Sequence, residues 1–217
     1  MPIHSYCIAA LGEAPEAPAG IQGAPVQWID EQGVRCYFSE IELPFADTNA
    51  MAAAALEQHR VIASLSQKSF ILPVRFGLAP VLSVEDLRSR IAKDASRFRS
   101  ALKYLRDKVE MQVTLAVPEN DRPKATSGME HLQLLAGRAR RIDGAIALLK
   151  EAAGPHVLAW KESTSPPKLR MFALLESRAQ QDFSQAVAAI HLPEGVECRV
   201  VGPWPPSEFL DYEPHGS

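Results

Sequence analysis

Two periods of apolar and polar positions run along the chain, and the switches between them mark the elements. Near the N-terminus three short runs read as strands: His4 to Leu11, Val26 to Asp30 and Val34 to Ile41. Glu31-Gln32-Gly33 separates the last two, so Asp30 to Gly33 is expected to close a hairpin. From Thr48 or Asn49 to about Ser66 no glycine or proline interrupts, and Met51, Ala55, Ile62 and Leu65 recur near one side. This predicts a helix, and its small residues Ala52 to Ala55 would let it pack close to a sheet. Ser69 to Phe76 is a short apolar run, but Pro73 cannot donate to a ladder, so the run is an edge strand or a strand ending there. Ser83, with Asp86 three residues on, opens a second helix. Leu87, Ile91, Phe98, Leu102 and Leu105 form its apolar stripe, with Arg88, Arg90, Lys93, Arg97 and Arg99 off it.

The second half is more regular. Val109 to Val117 alternates as a strand does, and the polar stretch Glu119 to Ser127, containing Pro123, is a connection. Met129 to Ala153 places Leu132, Leu135, Ala139, Ile142, Ile146 and Leu149 at spacings of three and four. That predicts a long amphipathic helix, ended by Gly154-Pro155. There follow a strand at His156 to Lys161, a Ser/Pro-rich turn through Pro167, a strand at Leu169 to Glu176, a helix at Ala179 to His191 and a strand at Val196 to Gly202. The order β-α-β-β-α-β is that of the ferredoxin-like split βαβ arrangement. The expected fold class is α+β in two domains, an N-terminal sheet-and-helix domain over 1–106 and a ferredoxin-like domain over 107–217, with a boundary near Asp107.

Composition narrows the function. Apolar residues make up 47% and charged residues 23% of the 217, which argues against both global disorder and an integral membrane protein. The formal net charge of −3, without any dominant basic block, gives no electrostatic reason to bind nucleic acid. The strand Val109 to Val117 also lacks the aromatic residues on which RNA-binding modules stack bases. The N-terminus has no cationic leader and its apolar run stops after Leu11, too short for a signal or a membrane span, so a cytoplasmic location is expected.

Cys7, Cys36 and Cys198 are far apart and flanked by apolar or aromatic residues. They read as free thiols used as small hydrophobes, with no CxxC spacing for a metal. Gly-rich phosphate loops, GxSxG, HExxH and metal-spaced Cys/His sets are all missing from the sequence, so no catalytic residue, cofactor or metal is expected.

Two segments are more specific than any periodicity. One is His59-Arg60-Val61-Ile62 followed by Ile71-Leu72-Pro73-Val74-Arg75-Phe76-Gly77; the other is Gly202-Pro203-Trp204-Pro205-Pro206 with Phe209. Both resemble signatures of the gas vesicle protein L/F family, and the likeness extends to Lys108-Val109-Glu110 and to Gly20-Ile21-Gln22-Gly23. Ser207, where members often carry a tyrosine, and the loose opening Ser5-Tyr6-Cys7 depart from the pattern and blur the subgroup. The resemblance implies two α+β domains, the second a modified ferredoxin-like fold. It also implies an accessory role in gas vesicle formation, with the small hydrophobic shell protein and other accessory proteins as partners, in the cytoplasm or on the vesicle. Fold and spacing alone could not supply that function.

Partner-binding candidates are Trp204, Phe209, Arg75, Arg138, Arg140 and Arg141. The prolines around Trp204 stiffen its segment, so Trp204 and Phe209 either clamp the terminus or anchor a hydrophobic partner. Arg75 either pairs with a carboxylate such as Glu57 or satisfies loop carbonyls, or else it meets an acidic group of a partner. His59 reads as a packing residue rather than a base. The arginines from Arg88 to Arg99 and from Arg138 to Arg141 are either solvated helix faces or a docking surface for acidic segments. The competing function is a cytoplasmic small-molecule sensor, which saturable stabilisation by a ligand would reveal.

Overall fold

A computed structural model of the chain describes residues 1–12, 16–77, 81–118, 127–165 and 168–211. The connection expected at Glu119 to Ser127 and the turn ending at Pro167 lie largely outside them. The chain forms two compact units, Met1–Asp107 with Pro205–Ser217, and Lys108–Trp204. Each holds a four-stranded antiparallel sheet and helices.

In the first unit the strands are β1 (Ile3–Ala10), β2 (Gln27–Glu31), β3 (Val34–Glu40) and β4 (Ile71–Pro73), ordered β2-β3-β1-β4. Gln32 and Gly33 close the β2–β3 hairpin with φ of 44° and 88°, the two positive values that match the twist of a tight hairpin. β4 is an edge strand and ends at Pro73, as the missing amide requires. The central strands are buried on both faces. Helix α1 (Thr48–Ser66), capped by the Asp47 carboxylate accepting from the Ala50 amide at 2.8 Å, packs Ala54, Val61 and Leu65 against Tyr6, Cys7, Ala9, Tyr37 and Ile71. Helix α2 (Val84–Tyr104), capped by Ser83, brings Leu87, Ile91 and Phe98 to Ile3, Ser5, Ile8 and Cys36 around a cavity of about 190 Å³.

The inward face of α1 differs from the expected one. Met51 is exposed and Ala55 and Ile62 only flank the core, whereas the polar Gln58 is buried in line with Ala54, Val61 and Leu65. Its amide nitrogen donates to the Val74 carbonyl at 2.7 Å, and its oxygen accepts from His4 Nε2 at 2.7 Å, so burial leaves no polar atom unmatched. Burial holds the His4 imidazole below its ordinary value of 6.5, the bond to Gln58 opposing this only in part. Since the unfolded chain takes up that proton first, His4 contributes stability that is complete above pH 6.5 and declines as pH falls through its lower folded value. Melting temperatures from pH 7.5 to 5 should therefore drop less in His4→Asn than in the wild type; parallel profiles would sink this reading.

Arg35 is buried although charged. Its Nε and Nη2 donate to the two Asp30 oxygens at 2.6 and 2.7 Å, Nη1 donates to the Gly12 carbonyl at 2.9 Å, and the guanidinium lies over the Trp28 ring. Cys7 and Cys36 are free and buried, and desolvation pushes the Cys36 thiol up to about 12, which keeps it protonated and inert.

The second unit runs β5 (Lys108–Ala116), α3 (Gly128–Ala153), β6 (Ala159–Ser165), β7 (Lys168–Glu176), α4 (Gln180–Ala188) and β8 (Glu197–Trp204), with strand order β6-β7-β5-β8. Met111, Val113, Leu115 and Val117 point inward from the β5 segment onto Ala145, Leu149 and Ala153 of α3 and Phe183 and Val187 of α4. β6 begins three residues later than the pattern suggests, because Gly154–His156 adds a short turn of helix with Pro155 at its start. β8 runs past Gly202 through Pro203 to Trp204. It can do so because it is an edge strand and its pairing with β5 is bulged between Glu110 and Gln112.

Candidate interaction surface on the long helix

Of the six candidate residues, Arg75 and Phe209 belong to the first unit and Arg138, Arg140, Arg141 and Trp204 to the second. Arg75 is largely exposed, and its Nη2 donates to Glu208 at 2.5 Å. Glu57 instead accepts from the backbone amide of Gln22 at 3.0 Å. Arg97 holds Asp211 through two bonds, so residues 208 and 211 are both tied by arginines of the first unit, and Phe209 between them is buried. Trp204 closes β8 opposite Glu110 and is half-buried. On α3, Arg141 donates to the Glu194 carbonyl at 3.3 Å, Arg138 is half-buried, and Arg140 is exposed with Nε near the Ala136 carbonyl.

The structure singles out different residues beside those arginines. The stripe read as buried along α3 is covered only from Ile142 onward. Leu132 is 61% and Leu135 48% exposed, Ala139 is exposed too, and Met129 at the start of the helix is 68% exposed. Geometry explains the mismatch. A helix of 26 residues extends roughly 39 Å at 1.5 Å per residue, whereas β5, with nine residues, extends roughly 30 Å. The first three turns of α3 therefore carry core-type side chains without a core. Ser127 caps the helix by accepting from the Glu130 amide at 3.2 Å, so these turns are regular helix right to their beginning.

Methionine and two leucines at spacings of three, followed by Arg138, Arg140 and Arg141, make an apolar strip with a cationic border. Such a surface suits a protein partner better than a small substrate. Among the described residues no group of His, Cys, Asp and Glu could hold a metal ion, and no helix is long and apolar enough to cross a membrane.

The two four-stranded antiparallel sheets and their helices define an α+β protein. The family model described as gas vesicle synthesis protein GvpL/GvpF matches residues 2–135, and the chain belongs to that family. The fold is that of solved relatives. It is similar to gas vesicle protein GvpF from Anabaena sp. PCC7120 with a TM-score of 0.77 and 17% identity, covering 100% of this chain and 98% of that one. The match to GvpF from Microcystis aeruginosa has a TM-score of 0.75 and 16% identity, covering 96% of this chain and 98% of that one. No curated protein matches the chain.

Proposed function

We propose that this protein is a non-enzymatic assembly factor for gas vesicles that holds the small hydrophobic shell protein through the first turns of α3. Family membership supports the gas vesicle role, and the exposure of Met129, Leu132 and Leu135 is the observation that carries the choice of surface. A small shell protein rich in apolar residues would aggregate if it met water before assembly. An uncovered helical stripe gives it an apolar face to lie on, and the arginines beside the stripe fix its orientation. In this reading the second unit is a ferredoxin-like domain whose long helix has been extended beyond its sheet to make the surface. Arg75 and Phe209 hold the C-terminal segment on the first unit, and Trp204 ends the last strand of the second. The protein acts in the cytoplasm, where vesicles are built, alongside other accessory proteins of the family.

The apolar cavity beside α2 is below the roughly 300 Å³ at which ordinary small-molecule sites begin. The larger hollow at the end of the same sheet is wide open and ringed by Lys68, Arg99, Lys103 and Arg106, unlike the mostly apolar, enclosing sites that small molecules use. The sensor reading therefore has less support than the assembly reading. Co-expression of tagged protein with its shell protein tests the proposal. Wild type should capture the shell protein. Leu132→Glu with Leu135→Glu should lose at least about tenfold of the capture while leaving the melting temperature unchanged, because neither leucine contributes to the core. Equal capture by both would remove α3 from the mechanism, and no capture by either would remove the shell protein as a direct partner.

A further inference from the structure

Away from α3, the first unit contains a wide, open cavity of about 660 Å³ at the end of its sheet where α1 and α2 both terminate. Arg99, Lys103 and Arg106 reach it from one face of α2 and its end, at spacings of four and three, and Lys68 faces them from just past α1. No carboxylate is among its described lining residues. Phe70 and Leu102 add an apolar wall.

Helix ends attract cations, and this explains why one or two of these residues stand there. It does not explain Arg99, more than a turn inside α2, nor the collection of four cations around a single hollow in a chain of net charge −3. Like charges at i and i+4 on a helix repel. The guanidinium of Arg99 donates to the Gln32 carbonyl, Lys68 donates to the Glu16 carbonyl at 2.9 Å, and the Lys103 ammonium lies over the Tyr104 ring. These contacts orient the side chains, but a carbonyl or an aromatic ring does not neutralise a charge.

We infer that this cavity binds an acidic segment of a partner polypeptide, carboxylates spaced along an extended chain meeting Lys68, Arg99, Lys103 and Arg106 while a neighbouring apolar side chain rests on Phe70 and Leu102. A compact phosphate fits less well. Phosphate is often held by converging backbone amides at a helix N-terminus, whereas the helix ends here are C-terminal and present carbonyls, which repel it. The spread of the charges matches a chain instead. Arg99 to Lys103 spans roughly 6 Å along α2, close to the roughly 7 Å between carboxylates two residues apart on one face of an extended segment. All of these residues belong to the first unit, so the site stands or falls independently of α3.

The test is fluorescence anisotropy on the full chain with a short labelled peptide of alternating glutamate and alanine with one central leucine, its glutamine counterpart, and inorganic pyrophosphate as competitor. The acidic peptide should bind and the glutamine peptide should not, and about 0.5 M salt should abolish binding by screening. Lys103→Glu with Arg106→Glu should weaken binding at least about tenfold, and the milder Lys103→Gln with Arg106→Gln should weaken it in the same direction if the reversal perturbs folding. Arg178→Glu, at an exposed position in the other unit and outside α3, should leave affinity unchanged. Equal binding of the acidic and glutamine peptides, indifference to both paired substitutions, or displacement of the peptide by low pyrophosphate would each overturn the inference, the last in favour of a phosphate site.

Discussion

Replacing Gly202 with alanine is expected to cost the second unit about 3 kcal/mol, the sum of a left-handed backbone penalty and an overpacking penalty. Gly202 has a φ of 135°, where a side chain is strained whatever space surrounds it. An added Cβ would also stand 2.9 Å from the Glu110 carbonyl oxygen and 2.8 Å from Met111 Sδ. The sulfur sits at the end of a flexible side chain and can yield, but the carbonyl belongs to the central strand β5 and cannot move without disturbing the β5–β8 pairing at its bulge. Hydrogen exchange of peptides from β5 and β8 should show the loss as faster exchange in both strands. Gly144 provides the contrast within the same unit. It lies inside α3, its Cβ would meet only Pro193 Cγ at an ordinary 3.9 Å, and Gly144→Ala should stabilise by about 0.5–1 kcal/mol. If Gly202→Ala and Gly144→Ala shift stability in the same direction, the geometry assigned to Gly202 is wrong.

The same two glycines show what a reader of sequence can and cannot see. Gly202 belongs to a motif that stands out along the chain, yet nothing in Gly-Pro-Trp-Pro-Pro says that the strand continues through the proline. That depends on β8 being an edge strand with a bulged partner, which is a property of the sheet. The β5 strand was legible because from Met111 onward its alternation follows burial: Met111, Val113 and Leu115 face in, Gln112 and Thr114 only partly so. Glu110, buried opposite Trp204 at the bulge, breaks the pattern. Helix α1 was legible as a helix but not in its facing. Apolar counting cannot know that His4 and Val74, far along the chain, will satisfy an amide and so allow Gln58 inside. Arg35 is the strand counterpart, charged by identity and buried because Asp30 meets it with both oxygens.

For the surface on α3 the signal was present and pointed the other way. Leu132 and Leu135 fit the stripe of a core helix, and only the comparison of helix length with strand length shows that the core ends before reaching them. The attachment of the C-terminal segment had no local signal at all. The Arg75–Glu208 and Arg97–Asp211 pairs join residues separated by 133 and 114 positions, and charges of opposite sign are too common along the chain to select these two pairs. Function divides in the same way. Motif resemblance reached the family, which is a matter of shared residues, while the place on the surface where a partner would lie became visible only with exposure in hand.

Gly20→Ala should destabilise the first unit by about 2–4 kcal/mol, through two buried hydroxyls rather than through its own backbone. An added Cβ there would come within 2.3 Å of the Tyr6 hydroxyl and 2.6 Å of Ser39 Oγ. Tyr6 is fully buried, and its hydroxyl accepts from the Ile21 amide at 2.9 Å; Ser39 donates to the Pro25 carbonyl at 2.8 Å. Moving either hydroxyl leaves a buried donor or acceptor without its partner, which is the costly way to lose a hydrogen bond. Tyr6→Phe alone strands the Ile21 amide and should cost about 1–3 kcal/mol. The two changes should not add. With the hydroxyl already absent, the new methyl group at position 20 enters the space it occupied, so the double substitution should be less destabilising than the sum of the singles by about 1 kcal/mol or more. A double-mutant cycle by urea unfolding of the full chain, with exchange in β1 and β3 to confirm that the first unit is the one affected, decides the point. Simple additivity would mean that Gly20 is required for some other reason than its close approach to Tyr6.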